Sequence, residues 1–227
     1  MMPMRRQPAP AAWADKERSY LTKLDKLSGK APLHSWKLDG QKLAHWFHAE
    51  VRASLEPSLC AYCDGPLGET SPQTIDHFLP EQDFPELGLS WHNLYPACSS
   101  CNTVHKRTQW SCYLLRPDSD LISADEAPSP FGVFAKWFDF EPSTGALSPA
   151  PGAPRTMRAR VRLTIRVLGL NERTRCNARK NRSQDLRNAV KHPADYPRLD
   201  EMVLLGPYRF VAVYFLAAHK AQKTSPP

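Results

Sequence analysis

The sequence has no apolar run long enough to cross a bilayer. Its longest apolar stretch, Phe210–Ala218, is far shorter than the roughly 20 residues that a transmembrane helix needs. The first residues include two arginines but no apolar segment of the kind found in secretory signals. We therefore expect a cytoplasmic protein that does not contact the membrane.

Glycine is also scarce, with ten residues against 22 prolines, which predicts stiff loops. An apolar content of 41% and a charged content of 23% are ordinary for a globular protein. The 227 residues allow one larger domain, or a small catalytic domain with flanking helical parts. The net charge of +7 favours a polyanionic partner, with nucleic acid ahead of an anionic membrane.

Cysteine is too sparse for a disulfide scaffold in a chain of this length. Four of the six cysteines instead form two Cys-x-x-Cys pairs, whose spacing is typical of zinc ligands. The alternatives are a redox motif or coincidence, but a redox motif needs no second copy. A site closed by four cysteines leaves no position for substrate, so this zinc would be structural. Its ligands would be Cys60, Cys63, Cys98 and Cys101, while Cys112 and Cys176 are treated as ordinary thiols.

Between and after these pairs we expect two short strands, Thr74–Phe78 and Trp91–Tyr95, and a helix from Cys98 to about Arg107. Apolar spacing predicts flanking helices over 13–27, 43–55, 155–168, 171–190 and 207–220, with Gly169 as a break. A turn at Asp39-Gly40 and a β-hairpin within 131–149 are also expected. The predicted organisation is a disordered tail (1–12), an N-terminal helical segment (13–57), a zinc-bound core (58–112) and a hairpin with C-terminal helices (113–227).

The pattern C-x2-C…IDH-x2-P…N-L-x3-C-x2-C-N-x3-K resembles the HNH, or ββα-metal, endonucleases over residues 60–106. The resemblance implies an α+β, mostly helical fold built around a small zinc-clamped ββα-metal core. It further implies that His77 is the general base and that Asp76 and Asn102 hold a catalytic Mg²⁺ or Mn²⁺. Asn93 would brace the loop that orients His77.

These residue types suit phosphodiester hydrolysis. Histidine titrates near neutral pH and can activate a water molecule, and oxygen ligands suit Mg²⁺ or Mn²⁺. Taken singly, each residue also has an ordinary interpretation as a cap, a turn residue or a surface side chain. Lys106 and Arg107 could contact phosphates or be solvated surface cations, and the roles of His92 and His105 are left open.

A narrower resemblance extends over roughly residues 55–185. It is to the HNH nuclease subunit of Septu-type anti-phage systems, including retron-associated versions. The segments that carry it include Leu114–Asp118, Trp137–Phe140, Thr144-Gly145, Arg158-Ala159 and Leu170-Asn171. Members of that branch work with an ABC-type ATPase, so the resemblance implies such a partner.

A basic run follows Pro154. Residues 155–187 contain eleven Lys or Arg against two acidic residues, so this segment could lie along phosphates, dock an acidic subunit, or be a solvated helix face. The leading hypothesis is a metal-dependent endonuclease acting on DNA rather than RNA in anti-phage defence. The alternatives are a non-catalytic zinc-ribbon module that binds nucleic acid or protein, a stand-alone restriction-type nuclease, and an RNA-cutting nuclease.

Overall fold

A computed structural model describes residues 4, 6, 8–26, 37–38, 41–42, 59–68, 73–121, 132–191, 206–212 and 214–215. The chain divides into two compact units. The core unit comprises Arg5–Ala61 and Pro66–Cys112, and the C-terminal unit comprises Met1–Met4, Tyr62–Gly65 and Tyr113–Pro227. Helices and two-stranded antiparallel sheets make up both, which confirms the predicted α+β class. Among the helices in the described ranges, none is long and apolar enough to span a membrane.

The core unit is built on a two-stranded antiparallel sheet. Strand β3 (Gln73–His77) pairs with β4 (Leu94–Cys98), so that His77 lies opposite Leu94. The first predicted strand is therefore shifted by one residue, and the second begins three residues late. Residues Trp91–Asn93 form a 3₁₀ turn in which Trp91 and Asn93 are buried and His92 is exposed. All five residues of β4 are buried.

The predicted helix after the second cysteine pair is a π-helix, Ser100–Lys106. Its last turn is closed by the Arg107 N–H, which donates to the Asn102 carbonyl five residues earlier at 2.6 Å. The chain then leaves the helix at Arg107, whose φ is +52°. Such wide turns are rare and occur often at functional sites.

Helix α1 (Ala11–Lys26) covers the loop before β4 and overlaps the helix predicted over 13–27, starting two residues earlier. The Trp13 indole N–H donates to the Leu89 carbonyl at 2.9 Å, and its ring lies edge-on to Trp91 at 5.4 Å. Tyr20 donates its hydroxyl proton to the Pro85 carbonyl at 2.7 Å. The helix therefore fixes the backbone of residues 85–91 by packing and hydrogen bonds together.

Two short strands, β1 (Lys37–Leu38) and β2 (Gln41–Lys42), pair across the turn predicted at Asp39-Gly40. The helix predicted over 43–55 lies outside the described residues. The predicted last helix is described only in part, with helical residues at 209–212 and 214–215.

The C-terminal unit contains the predicted hairpin, formed by β5 (Phe138–Glu141) and β6 (Ala146–Pro149). The prediction of a hairpin within 131–149 is wrong for the residues just before β5, which form a helix, α2 (Gly132–Trp137). Helical folding stacks Phe134 on Phe138, with ring centroids 4.8 Å apart. Gly145 ends the turn with φ +75°, and a Cβ there would lie 1.9 Å from the Cys176 carbonyl oxygen.

Helices α3 (Arg155–Val167) and α4 (Arg173–Lys191) complete this unit and are separated by Gly169 (φ +56°), as predicted. Two arginines of α4 are buried against the end of α3. Arg175 donates to the Leu168 carbonyl at 2.7 Å, and Arg179 to the Leu170 carbonyl at 2.7 Å. Carbonyls at a helix C-terminus lack intrahelical partners and attract cations. Part of the basic run is therefore used inside the fold.

Candidate active site and metal centre

Four cysteine side chains form a cluster. The Sγ atoms of Cys60, Cys63, Cys98 and Cys101 all lie within 4.8 Å of one another, and all four residues are buried. Two backbone N–H groups point at sulfur: Cys98 N–H donates to Cys60 Sγ and Cys101 N–H to Cys98 Sγ, both at 3.4 Å. Such donors stabilise thiolates, which are the form that binds metal.

The spacing of the sulfurs fits one metal ion. Tetrahedral zinc with four thiolates at about 2.3 Å places its sulfurs about 3.8 Å apart, within the range that the cluster allows. Four sulfur donors suit zinc or iron and leave no open coordination position. The predicted cysteine metal site is therefore supported by geometry, and its role would be structural.

His77 is the last residue of β3, and one nitrogen of its ring contacts a main-chain carbonyl. Its Nε2 lies 2.7 Å from the Gly88 carbonyl oxygen. A carbonyl can only accept, so Nε2 carries the proton. In the neutral ring the lone pair then resides on Nδ1, which is the nitrogen that could accept a proton from water. This contact fixes both the tautomer and the direction of the ring.

Asn93 holds the loop that supplies this carbonyl. Its Oδ1 accepts from the Leu79 N–H at 2.8 Å, and its Nδ2 donates to the carbonyls of Leu79 and Leu87 at 2.9 and 3.1 Å. The side chain is 2% exposed. Asn93 thereby ties together the two ends of residues 79–87, which lie directly between His77 and Gly88.

Asp76 is buried beside a buried lysine. Its carboxylate oxygens lie 3.2 and 3.1 Å from the Lys106 ammonium, and the two side chains are 2% and 0% exposed. Lys106 also donates to the His77 carbonyl at 2.6 Å. The π-helix and β3 are therefore joined by an ion pair at the end of the strand. A contact between Lys106 and a phosphate requires the ammonium to leave this position.

Asn102 lies one helical turn before Lys106 and contacts the same strand. Its Nδ2 donates to Thr74 Oγ1 and to the Ile75 carbonyl, both at 3.0 Å. Because the amide nitrogen is used in this way, the oxygen Oδ1 is the atom of Asn102 that could ligate a metal. Carboxylate and amide oxygens are the donors that Mg²⁺ and Mn²⁺ prefer.

The other residues singled out in the sequence differ in their exposure. Arg107 is exposed and its Nε donates to the Val104 carbonyl. His92 is exposed and His105 is half-buried. Cys112 is exposed and Cys176 is partly buried, and neither is in the four-cysteine group.

Sequence reasoning missed Gly88, whose carbonyl orients His77. A Cβ at this position would lie 2.5 Å from the Tyr20 hydroxyl oxygen and 2.8 Å from a Glu81 carboxylate oxygen. Only glycine permits α1 to approach the loop this closely. The signal available in the sequence was a glycine between the predicted base and the predicted brace, which is too weak to identify an acceptor.

Comparisons with known proteins place this geometry in context. Residues 60–108 match the model of the HNH endonuclease family. Over 44 residues the chain is 43% identical to the Septu protein PtuB of Bacillus thuringiensis, a stretch covering 19% of this chain and 17% of PtuB. The chain is thus aligned to about 17% of that relative's length. The predicted resemblance to HNH endonucleases and to a Septu protein is confirmed.

Proposed function

We propose that the protein is a metal-dependent endonuclease that hydrolyses nucleic acid phosphodiesters in anti-phage defence. The proposed substrate is DNA, and RNA is the second candidate. The observation that carries this proposal is the contact between His77 Nε2 and the Gly88 carbonyl at 2.7 Å. Because Nε2 donates in this contact, Nδ1 is the His77 nitrogen that could accept a proton, beside a buried aspartate, inside the segment that matches the HNH endonuclease family model.

In this mechanism His77 Nδ1 takes a proton from the water that attacks phosphorus. Asp76 and Asn102 would hold Mg²⁺ or Mn²⁺, which supplies Lewis acidity and stabilises negative charge on the phosphate oxygens. The four cysteines would hold zinc, which would clamp the end of β4 and the π-helix. Asn93 keeps the loop closed, so that the Gly88 carbonyl stays in place when the ring becomes charged.

Partners are proposed from the similarity to a Septu protein. We expect an ABC-type ATPase subunit that controls cutting. The net charge of +7 suits a nucleic acid substrate, and exposed basic residues of α3 and α4, such as Arg162 and Arg187, suit its phosphates. The stretch that is similar to PtuB does not identify residues that contact bases. We therefore expect little sequence specificity from this chain alone.

The test is cleavage of plasmid DNA and of RNA with Mg²⁺ or Mn²⁺, with the ATPase subunit present. Loss of a general base typically slows hydrolysis by about 100-fold or more, so His77→Ala should cut at least that much more slowly. His92→Ala is the matched control, because His92 is exposed and has no role in the proposed mechanism. Equal cutting by wild type and His77→Ala contradicts the mechanism.

One observation favours a second candidate, a zinc-ribbon module that binds nucleic acid without cutting it. The Asp76 carboxylate already has a cationic partner in Lys106, as expected of a site with a purely structural role. If the wild type with its partner binds DNA but cuts neither DNA nor RNA, this candidate replaces the first.

A further inference from the structure

Lys106 is placed to satisfy every hydrogen of its ammonium. The group has three N–H donors and three acceptors within reach: two Asp76 carboxylate oxygens at 3.2 and 3.1 Å, and the His77 carbonyl at 2.6 Å. The side chain is 0% exposed. A lysine buried so completely is normally paired, because an isolated buried charge is strongly disfavoured.

The position of this pair is unusual, because Asp76 has a second use. The proposed function makes the same carboxylate a ligand of Mg²⁺ or Mn²⁺. Both of its oxygens are within hydrogen-bonding distance of the ammonium, and two cations close to one carboxylate repel each other. The lysine and the divalent ion are therefore rivals for one anionic group.

We propose that Lys106 competes with the divalent ion for Asp76. Lys106 is then a positioning residue, which holds the Asp76 carboxylate and the His77 carbonyl at the end of β3. Metal uptake requires the ammonium to release Asp76, so the lysine weakens metal binding while it stabilises the strand end. This inference rests on the proposed function, since it needs Asp76 to be a metal ligand.

The test measures Mn²⁺ binding by the full zinc-loaded chain, with electron paramagnetic resonance of free Mn²⁺ and calorimetry. Lys106→Met keeps the length of the side chain and removes its charge. We expect Mn²⁺ to bind this variant about tenfold more tightly than wild type, since a neighbouring like charge has been removed. The variant should also melt at a lower temperature without added Mn²⁺ and gain more from its addition.

Two further variants make the result specific. Lys23→Met is the control, because it makes the same substitution at an exposed position of α1, and its Mn²⁺ affinity should match that of wild type. Lys106→Gln covers the case in which the methionine variant does not fold, since its amide can still donate to the His77 carbonyl. It too should bind Mn²⁺ more tightly.

The outcomes separate this inference from the proposed function. Equal Mn²⁺ affinity in wild type and both Lys106 variants overturns the competition and leaves the metal site intact. Weaker binding by the variants also overturns it, because Lys106 then supports metal binding. If no protein binds Mn²⁺ at this site, both the competition and the assignment of Asp76 as a ligand are overturned.

Discussion

Among the residues that the structure describes, one long cationic side chain in each unit has no exposed surface, and the two are paired differently. Lys106 in the core unit and Arg179 in the C-terminal unit are both 0% exposed. The Lys106 ammonium contacts a carboxylate, that of Asp76. The Arg179 guanidinium donates instead to main-chain carbonyls, those of Gly145 and Leu170, each at 2.7 Å.

The partners explain what each cation does. The carbonyl of Leu170 follows α3, where backbone acceptors need donors from elsewhere, and that of Gly145 ends the β5–β6 turn. Arg179 thus ties a helix end to a hairpin, and burial lowers the pKa of its guanidinium. The carbonyls that accept from Arg179 serve the fold of this unit, whereas a buried carboxylate beside a histidine can also bind a metal. Arg179 therefore stabilises the fold, whereas Lys106 contacts a residue of the proposed metal site.

The largest effect expected from this difference follows Arg179→Met. The change leaves the Gly145 and Leu170 carbonyls without their donor inside the unit, so unfolding should require about 4 kcal/mol less, at the upper end for single substitutions. Adding Mn²⁺ should restore none of it. Urea denaturation, with hydrogen exchange in β5 and β6 to locate the change, measures this loss.

The control is Arg187→Met, which removes the same charge from an exposed position of α4 and should stay within about 0.5 kcal/mol of wild type. If the two arginine variants are equally stable, the buried Arg179 does not stabilise the fold, and the proposed difference between Arg179 and Lys106 is wrong.

The residues of the candidate site could be proposed from the sequence, whereas the burial of the two cations could not. The chemistry of the cysteine pairs and of the Asp76-His77 dipeptide can be inferred from residue type and spacing. The role of Lys106 cannot, because a lysine near the end of a helix is usually solvated. Its burial depends on the π-helix, and that geometry comes from packing against β3 and not from helix propensity.

The elements of the fold also divide into those that the sequence predicts and those that it does not. Helix α1 and the break at Gly169 follow from apolar periodicity and from glycine's access to positive φ. The 3₁₀ turn at Trp91–Asn93 does not, because its cause is tertiary: Trp91 packs on α1 and Asn93 reaches the loop of residues 79–87. Arg179 could not be singled out from the sequence either, because it is one of eleven Lys or Arg residues in the segment 155–187.

A second prediction uses the fact that Lys106 has a removable partner. Asp76→Asn strands the buried ammonium and should lower the free energy of unfolding by about 3 kcal/mol, as for other broken buried pairs. The double variant Asp76→Asn/Lys106→Met should recover most of this loss, since the stranded charge is gone. Denaturation of both variants without added divalent ions measures the coupling.

Additive losses in the double variant would show that the two side chains act independently. Arg179 offers no such rescue, because the acceptors of its two shortest hydrogen bonds are main-chain carbonyls, which cannot be removed by substitution. Recovery in the core unit alone would therefore sharpen the distinction between a cation balanced by a side chain and one held by the backbone.

The smallest effects should come from the two asparagines that brace the units. Asn93 bonds to the backbone N–H and carbonyl of Leu79, and Asn171 bonds to those of Leu147 at 2.8 Å each. Asn171 is exposed, so Asn171→Ala should cost about 1 kcal/mol, and Asn93→Ala about 2 kcal/mol because its partners are left buried.

Activity should separate these two substitutions more than stability does. Asn93→Ala frees the loop that presents the Gly88 carbonyl to His77, so cutting should fall at temperatures where the variant is still folded. Asn171→Ala loosens a hairpin in the other unit and should cut like wild type. Cleavage rates measured well below both melting temperatures decide this. If both variants cut normally, His77 keeps its orientation without the brace, and its contact with Gly88 depends on the packing of α1 instead.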